Sequence, residues 1–346
     1  MKTFILTHPV KKNYGGILQA YALCEALKIL DQDVTLINGP LPKLSAVKSL
    51  TGKVKLLFSE SKRLRFANLQ KFINNYLPLS AEWHGEKITD AEAIVVGSDQ
   101  VWRPGYTKFP GAYFLDFASG QNIKRIAYAA SFGVDYWEFS DEQTTEYGKL
   151  LKKFDHISVR EVSGIDLCKK YFQLDVQQMP DPTLLHNADF YRPIANNGKS
   201  YDNTLFTYFL DRNDDKEELA DTLADKLGLS RYDFMPADKK TPLHTVEDFL
   251  AGISKAEFIL TDSFHGMVFS MIFNKKYAVY TNIKRGLSRF DLTVKAGAEQ
   301  AILTGKNNIQ QCIDLFNSAD IYTSVPDFLQ KERQRGWAYL QECFAE

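Results

Sequence analysis

The chain has 346 residues, and 42 Lys plus Arg against 43 Asp plus Glu leave a formal net charge of −1. At about 150 residues per domain this length suggests two domains. A composition of 45% hydrophobic and 25% charged residues excludes a largely disordered chain, and without a basic excess nucleic acid is not expected as a partner.

No apolar run reaches the roughly 18 residues a membrane-spanning helix needs. The opening MKTFILTHPVKKN has only Phe4–Leu6 as an apolar block, short of the about 7 residues of a secretory signal. A cytoplasmic protein is therefore expected. Thr3–Thr7 reads as a first strand, Ile17–Leu30 as a strongly periodic helix and Val34–Ile37 as a second strand. Residues 43–65 hold seven basic residues and one acidic residue, with Leu44, Val47, Leu50, Val54, Leu57 and Leu64 at helical spacing. Such a segment either packs as a solvated helix or lies on an anionic membrane face. Ala93–Val96, Arg125–Ala130 and His156–Arg160 read as strands, followed by a helix through Ile165–Tyr171. Their apolar runs lack alternation, which predicts a parallel sheet covered on both faces.

Pro180, Pro182, Pro193 and Asn196-Asn197-Gly198 interrupt the pattern. The reading is an N-terminal Rossmann-like domain over 1–182, a linker over 183–200, a second Rossmann-like domain over 201–325 and a C-terminal helix over 326–346, able to pack back on the first domain. In the second domain Thr204–Leu210, Glu257–Leu260 and Tyr277–Tyr280 read as strands. Asp214–Leu227, Val246–Ser254, Gly266–Phe273, Ile309–Phe316 and Phe328–Phe344 read as helices. Cys24, Cys168, Cys312 and Cys343 lie far apart in helical segments with no C-x-x-C, so free thiols are expected, with neither zinc nor disulfides.

The chain has no G-x-G-x-x-G, G-x-x-x-x-G-K-[ST], H-E-x-x-H or G-x-S-x-G. What remains is a set of polar strand ends. Asn13-Tyr14-Gly15-Gly16 precedes the first helix and is either an anion-approaching turn or a plain N-cap. Gly97-Ser98-Asp99-Gln100-Val101-Trp102 joins a carboxylate, an amide and an indole, which suits sugar hydroxyls or forms a structural Asx turn. Arg160 at a strand's carboxyl end suits a bidentate carboxylate or phosphate, or an ion pair with Glu161 or Asp181. In Glu257–Phe273, Ser263 reads as an N-cap and places His265 in the first helical turn, where it can meet an anion or serve as a cap. Lys284, Arg285 and Arg289 cluster after a strand, as an anion site or a solvated loop.

Taken in order, NYGGILQAYAL, VVGSDQVWRP, YAASFG, ISVRE, MPDPTLL and TDSFHG resemble the polysaccharide pyruvyl transferase family over about residues 5–290. The resemblance implies an α/β, GT-B-like fold of two facing Rossmann-like domains with parallel sheets and an interdomain cleft. It implies transfer of pyruvate from phosphoenolpyruvate (PEP), as a ketal, to sugar hydroxyls of a cell-surface glycan precursor. PEP is then a donor substrate, with no separate cofactor and no metal. The family's PEP positions map onto Arg160 and His265, with Ser263 and Phe264 beside the histidine and Lys284, Arg285 and Arg289 as further cations. Some relatives carry an arginine within the histidine motif, and Thr261-Asp262-Ser263-Phe264-His265 has none. His265 is the expected anion binder and proton donor to phosphate. Asp99 is the expected base, with Asp262 in reserve. Asn13, Gly15, Gly16, Gln100 and Ser131 are expected to hold the acceptor. A lipid-linked acceptor would bring residues 43–65 to the membrane face. The competing expectation is a GT-B glycosyltransferase using a nucleotide sugar, although no obvious ribose-binding acid follows TDSFHG.

Overall fold

In a computed structural model of the chain, residues 1–40, 63–200, 202–238, 240–280, 290–304, 308–318 and 320–345 are described. Most of the basic segment at 43–65, and all of Lys284, Arg285 and Arg289, lie outside them. The described residues fall into two units, one within Met1–Ser49, Ile73–Leu185 and Glu332–Glu346, the other within Leu50–Phe72 and His186–Lys331.

The first unit is built on seven parallel strands: β1 (Lys2–Leu6), β2 (Asp33–Asn38), β3 (Leu79–Glu82), β4 (Ala93–Val96), β5 (Lys124–Ala130), β6 (His156–Val159) and β7 (Gln177–Gln178). Their order is β3-β2-β1-β4-β5-β6-β7, the doubly wound arrangement in which chain direction across the sheet reverses between β1 and β4. Helix α1 (Tyr14–Ile29) is buried nearly all round, from Tyr14 through Cys24 and again at Ala26 and Leu27. An all-round apolar helix belongs in a core. Of helix α2 (Ala67–Tyr76), the end from Ile73 belongs to this unit and Ala67–Phe72 falls in the second, while helices α3 (Asp141–Leu151) and α4 (Val162–Leu167) belong to this unit.

The second unit holds β8 (Thr204–Tyr208), β9 (Ser230–Asp233), β10 (Phe258–Thr261), β11 (Tyr277–Tyr280) and β12 (Ile302–Leu303), ordered β12-β11-β10-β8-β9 and parallel throughout. The reversal here lies between β8 and β10. Its described helices are α5 (Ala188–Ala195), α6 (Asp214–Leu227), α7 (Val246–Lys255), α8 (Phe264–Ile272), α9 (Asp291–Lys295) and α10 (Ile309–Asn317), before α11 (Val325–Phe344) ends the chain. From Glu332 onward α11 belongs to the first unit, within which Trp337 Nε1 donates to Leu185 O at 2.8 Å and Tyr339 packs against Tyr128.

Within 183–200 the turn at Asn196-Asn197-Gly198 is present, but the stretch holding Pro193 is not a turn. Ala188–Ala195 is helical despite Pro193, because Asn187 Oδ1 caps it on the Phe190 amide (3.2 Å) and Tyr191 and Ile194 are buried. A proline late in so short a helix forfeits one backbone bond. All four cysteines are buried free thiols. No described helix is long and apolar enough to cross a membrane.

Candidate active site

In open α/β sheets the ligand crevice lies at the carboxyl ends of the strands, where the order reverses. At that point of the first unit, Asn13 caps α1 by accepting from the Gly15 amide (3.0 Å). Gly16 faces Asp99: a Cβ there would stand 3.5 Å from Asp99 Oδ2. Asp99 follows β4 with φ of 82°, and its Oδ1 accepts from the Gln100 amide at 2.8 Å. A non-glycine residue held in the left-handed region is an uncommon, costly choice that concentrates at functional sites. The structure therefore brings Asn13, Gly15, Gly16 and Asp99 together.

Gln100 and Ser131 lie deeper, and both are buried. The Gln100 side chain occupies the space a Cβ on Gly133 (φ 72°) would need, and its Oε1 accepts from Arg103 Nη1 at 3.1 Å. Ser131 Oγ accepts from Arg160 Nη2 (3.1 Å) and donates to Glu161 Oε1 (2.8 Å). Trp102, whose indole the sugar-recognition alternative for this loop would use, is core. It is 1% exposed, stacks on Phe114, and donates from Nε1 to Tyr113 O.

Arg160 is 7% exposed, and its guanidinium is already engaged. Nε donates to Glu161 Oε1 (2.9 Å) and Nη1 to Asp181 Oδ2 (3.2 Å). Asp181 also receives Ser98 Oγ and, on its other oxygen, the Thr183 hydroxyl and amide. The ion-pair reading of Arg160 is thus the arrangement observed, with both candidate carboxylates present. Burial alone would lower the guanidinium pKa, and Glu161, Asp181 and Asp99 together reverse this, leaving it raised. The GSDQ, ASFG, SVRE and MPDP segments are tied into one buried network through these residues.

Sequence reading missed His8, just beyond β1. Its Nε2 lies 2.9 Å from Gln100 O and its Nδ1 3.2 Å from the Tyr113 hydroxyl. A carbonyl only accepts, so in the neutral ring Nε2 carries the proton and Tyr113 donates to Nδ1. Its position directly after a buried strand was the available signal.

At the reversal in the second unit, Ser263 caps α8 on the Gly266 amide at 3.3 Å. Phe264 and His265 fill the first turn, each 8% exposed, with their rings edge to face. Gly266 is required here: a Cβ would sit 2.5 Å from Thr261 Oγ1 and 3.2 Å from Thr261 Cβ. Asp262 is not a free base. Its carboxylate accepts from the Leu210 and Asp211 amides and from Lys216 Nζ, all within 3.0 Å. Lys216, also missed, hides in the charge run DDKEE. Among the described residues no group of three or more His, Cys, Asp and Glu is placed to hold a metal ion.

At its strand reversal the second unit has helix-start amides and a histidine, and the first unit, at its own, has a partly open carboxylate beside a glycine turn. Solved structures similar to the chain include S. aureus MnaA with UDP (14% identity, 100% of this chain and 98% of that chain, TM-score 0.51). Others are a Neisseria meningitidis UDP-GlcNAc 2-epimerase bound to UDP-GlcNAc (12%, 99% and 99%, 0.51) and Medicago truncatula UGT71G1 complexed with UDP-glucose (11%, 98% and 96%, 0.52). At such identities the likeness shows the fold alone, which is GT-B-like. No curated protein matches the chain significantly. The model of the family described as polysaccharide pyruvyl transferase matches residues 13–282, a span that begins at the Asn13 cap and takes in both strand reversals with Asp99, the Arg160 network and His265. The chain is a transferase that belongs to the polysaccharide pyruvyl transferase family.

Proposed function

We propose that the protein moves the pyruvyl group of PEP onto two hydroxyls of one sugar in a cell-surface glycan precursor, in the cytoplasm. The family match over 13–282 carries this reading. In this reading the donor binds at the second unit, and what supports it is that Ser263, Phe264 and His265 open α8 and that Lys284, Arg285 and Arg289 follow β11 in the chain. A helix start favours carboxylate and phosphate. Arg160 carries less of the donor's charge than the resemblance implies, because Glu161 and Asp181 already neutralise it.

Protonation of the PEP methylene creates an oxocarbenium-like carbon. One sugar hydroxyl adds to it and loses its proton, and phosphate leaves. A second hydroxyl closes the ketal and loses its proton. PEP plus a diol thus gives a carboxylate-bearing ketal plus hydrogen phosphate, by acid–base steps alone. His265 delivers the proton that departs with phosphate, and Asp99 takes one hydroxyl proton. Asn13, Gly15, Gly16, Gln100 and Ser131 shape the acceptor side, with Gln100 and Ser131 acting through the loops they hold.

The test is phosphate release from PEP in the presence of sugar acceptors bearing free diols. Phosphate should appear only with an acceptor, and Asp99→Asn should cut its rate about 10²-fold or more, the usual scale of general-base loss. Undiminished turnover in Asp99→Asn would remove Asp99 from the mechanism. No release with any glycan acceptor would remove the donor assignment.

A further inference from the structure

Lys216 breaks a local rule. It stands in the first turn of α6, beside Asp214, Asp215 and Glu217. A helix start carries partial positive charge, so acids belong there and a lysine does not. A residue that violates local preference without local compensation marks a functional or strained site.

The compensation is tertiary. Lys216 Nζ donates to Asp262 Oδ2 at 2.6 Å and to Asp211 O at 2.6 Å. The two side chains are 8% and 0% exposed. The Phe209 and Tyr280 rings lie 5.5 and 5.7 Å from the ammonium. Asp262 completes the arrangement by accepting from the Leu210 (2.6 Å) and Asp211 (3.0 Å) amides. One ammonium therefore ties together the carboxyl ends of β8, β10 and β11, all three adjacent at the strand reversal. A buried ion pair seldom stabilises more than well-packed apolar residues would. Its position immediately before Ser263 and His265 is better explained by geometry than by stability.

We infer that Lys216 and Asp262 form a latch that positions the Ser263–His265 turn for the donor anion. Lys216 is thus a positioning residue for PEP. The inference rests on the reading of the second unit as the donor side. The latch holds the loop after β8 and the turn after β10 in one register, so the α8 amides and His265 meet the anion preformed. Without it the turn must be ordered at the moment of binding, and affinity falls.

The experiment measures PEP affinity by calorimetry for the wild type, Lys216→Met, Asp262→Asn and the double variant, with KM for the acceptor taken alongside. Each single variant should bind PEP at least tenfold more weakly, and the double variant should be no worse than the weaker single. Acceptor KM should stay within about twofold, a split that general loosening of the fold would not give. A folded variant with PEP affinity within twofold of wild type overturns the latch. Hydrogen exchange on the wild-type protein covers variants that fail to fold: PEP should protect the Leu210 and Asp211 amides together with those of residues 263–266. Protection of 263–266 alone would also overturn it. Absence of PEP binding by the wild type would instead overturn the donor reading itself.

Discussion

Arg160 shows how much a single side chain can be committed before any ligand arrives. Its donors serve Glu161, Asp181 and Ser131, and all three partners are buried. Removing one member of such a cluster leaves uncompensated buried charge, which costs about 3–5 kcal/mol. Arg160→Met should therefore lower the unfolding free energy by that amount in urea titration. A loss under about 1 kcal/mol would mean the carboxylates find other partners. At this scale the sequence was partly legible. Arg160, Asp99 and His265 stand out as polar residues at the ends of apolar runs. Trp102 and Lys216 were not legible, because an indole next to polar residues looks like a sugar platform and a lysine among acids looks solvated. Only tertiary packing reveals that one lies under Phe114 and the other under Asp262.

Among the elements, the strands that sequence reading found are β1, β2, β4, β5, β6, β8, β10 and β11. Those it missed are β3, β7, β9 and β12, which are the four sheet edges. Edge strands are short and half exposed. LSAE, QQ, SRYD and IL offer too little apolar run to register as strands. One edge carries a charge network that sets a pH response. Glu217 of α6 is held down to about 2, first by its hydrogen bond from Arg212, against partial burial that works the other way, and further by Arg231 of β9. A carboxyl with a lowered folded-state pKa stabilises above the ordinary carboxylate range and loses that contribution as the pH falls through the folded value. Glu217→Gln should therefore unfold more easily than wild type at pH 7, with the difference shrinking between about pH 5 and pH 2. A gap that is constant across that range would show that lost packing, not charge, is responsible. The Arg212 and Glu217 side chains are each about a third exposed, so the effect should also weaken with added salt.

For the whole molecule, the two parallel sheets were legible because buried strands read as unbroken apolar runs, and six short motifs identified the family in order. AIVV and FILT are buried at every position, as such runs require. The fold alone does not choose a donor, since similar folds hold UDP and UDP-sugars at 11–14% identity. In the function proposed above, the choice lies with the chemistry of α8 and the cations that follow β11 in the chain. The deciding measurement is therefore the melting temperature with PEP, compared with UDP- and GDP-sugars, for wild type and His265→Ala. A ligand at 100 times its dissociation constant stabilises the native state by about 2.7 kcal/mol. The prediction is a clear upward shift with PEP that His265→Ala abolishes, and none with nucleotide sugars. A shift with a nucleotide sugar and none with PEP would contradict the pyruvyl donor and make the protein a glycosyltransferase.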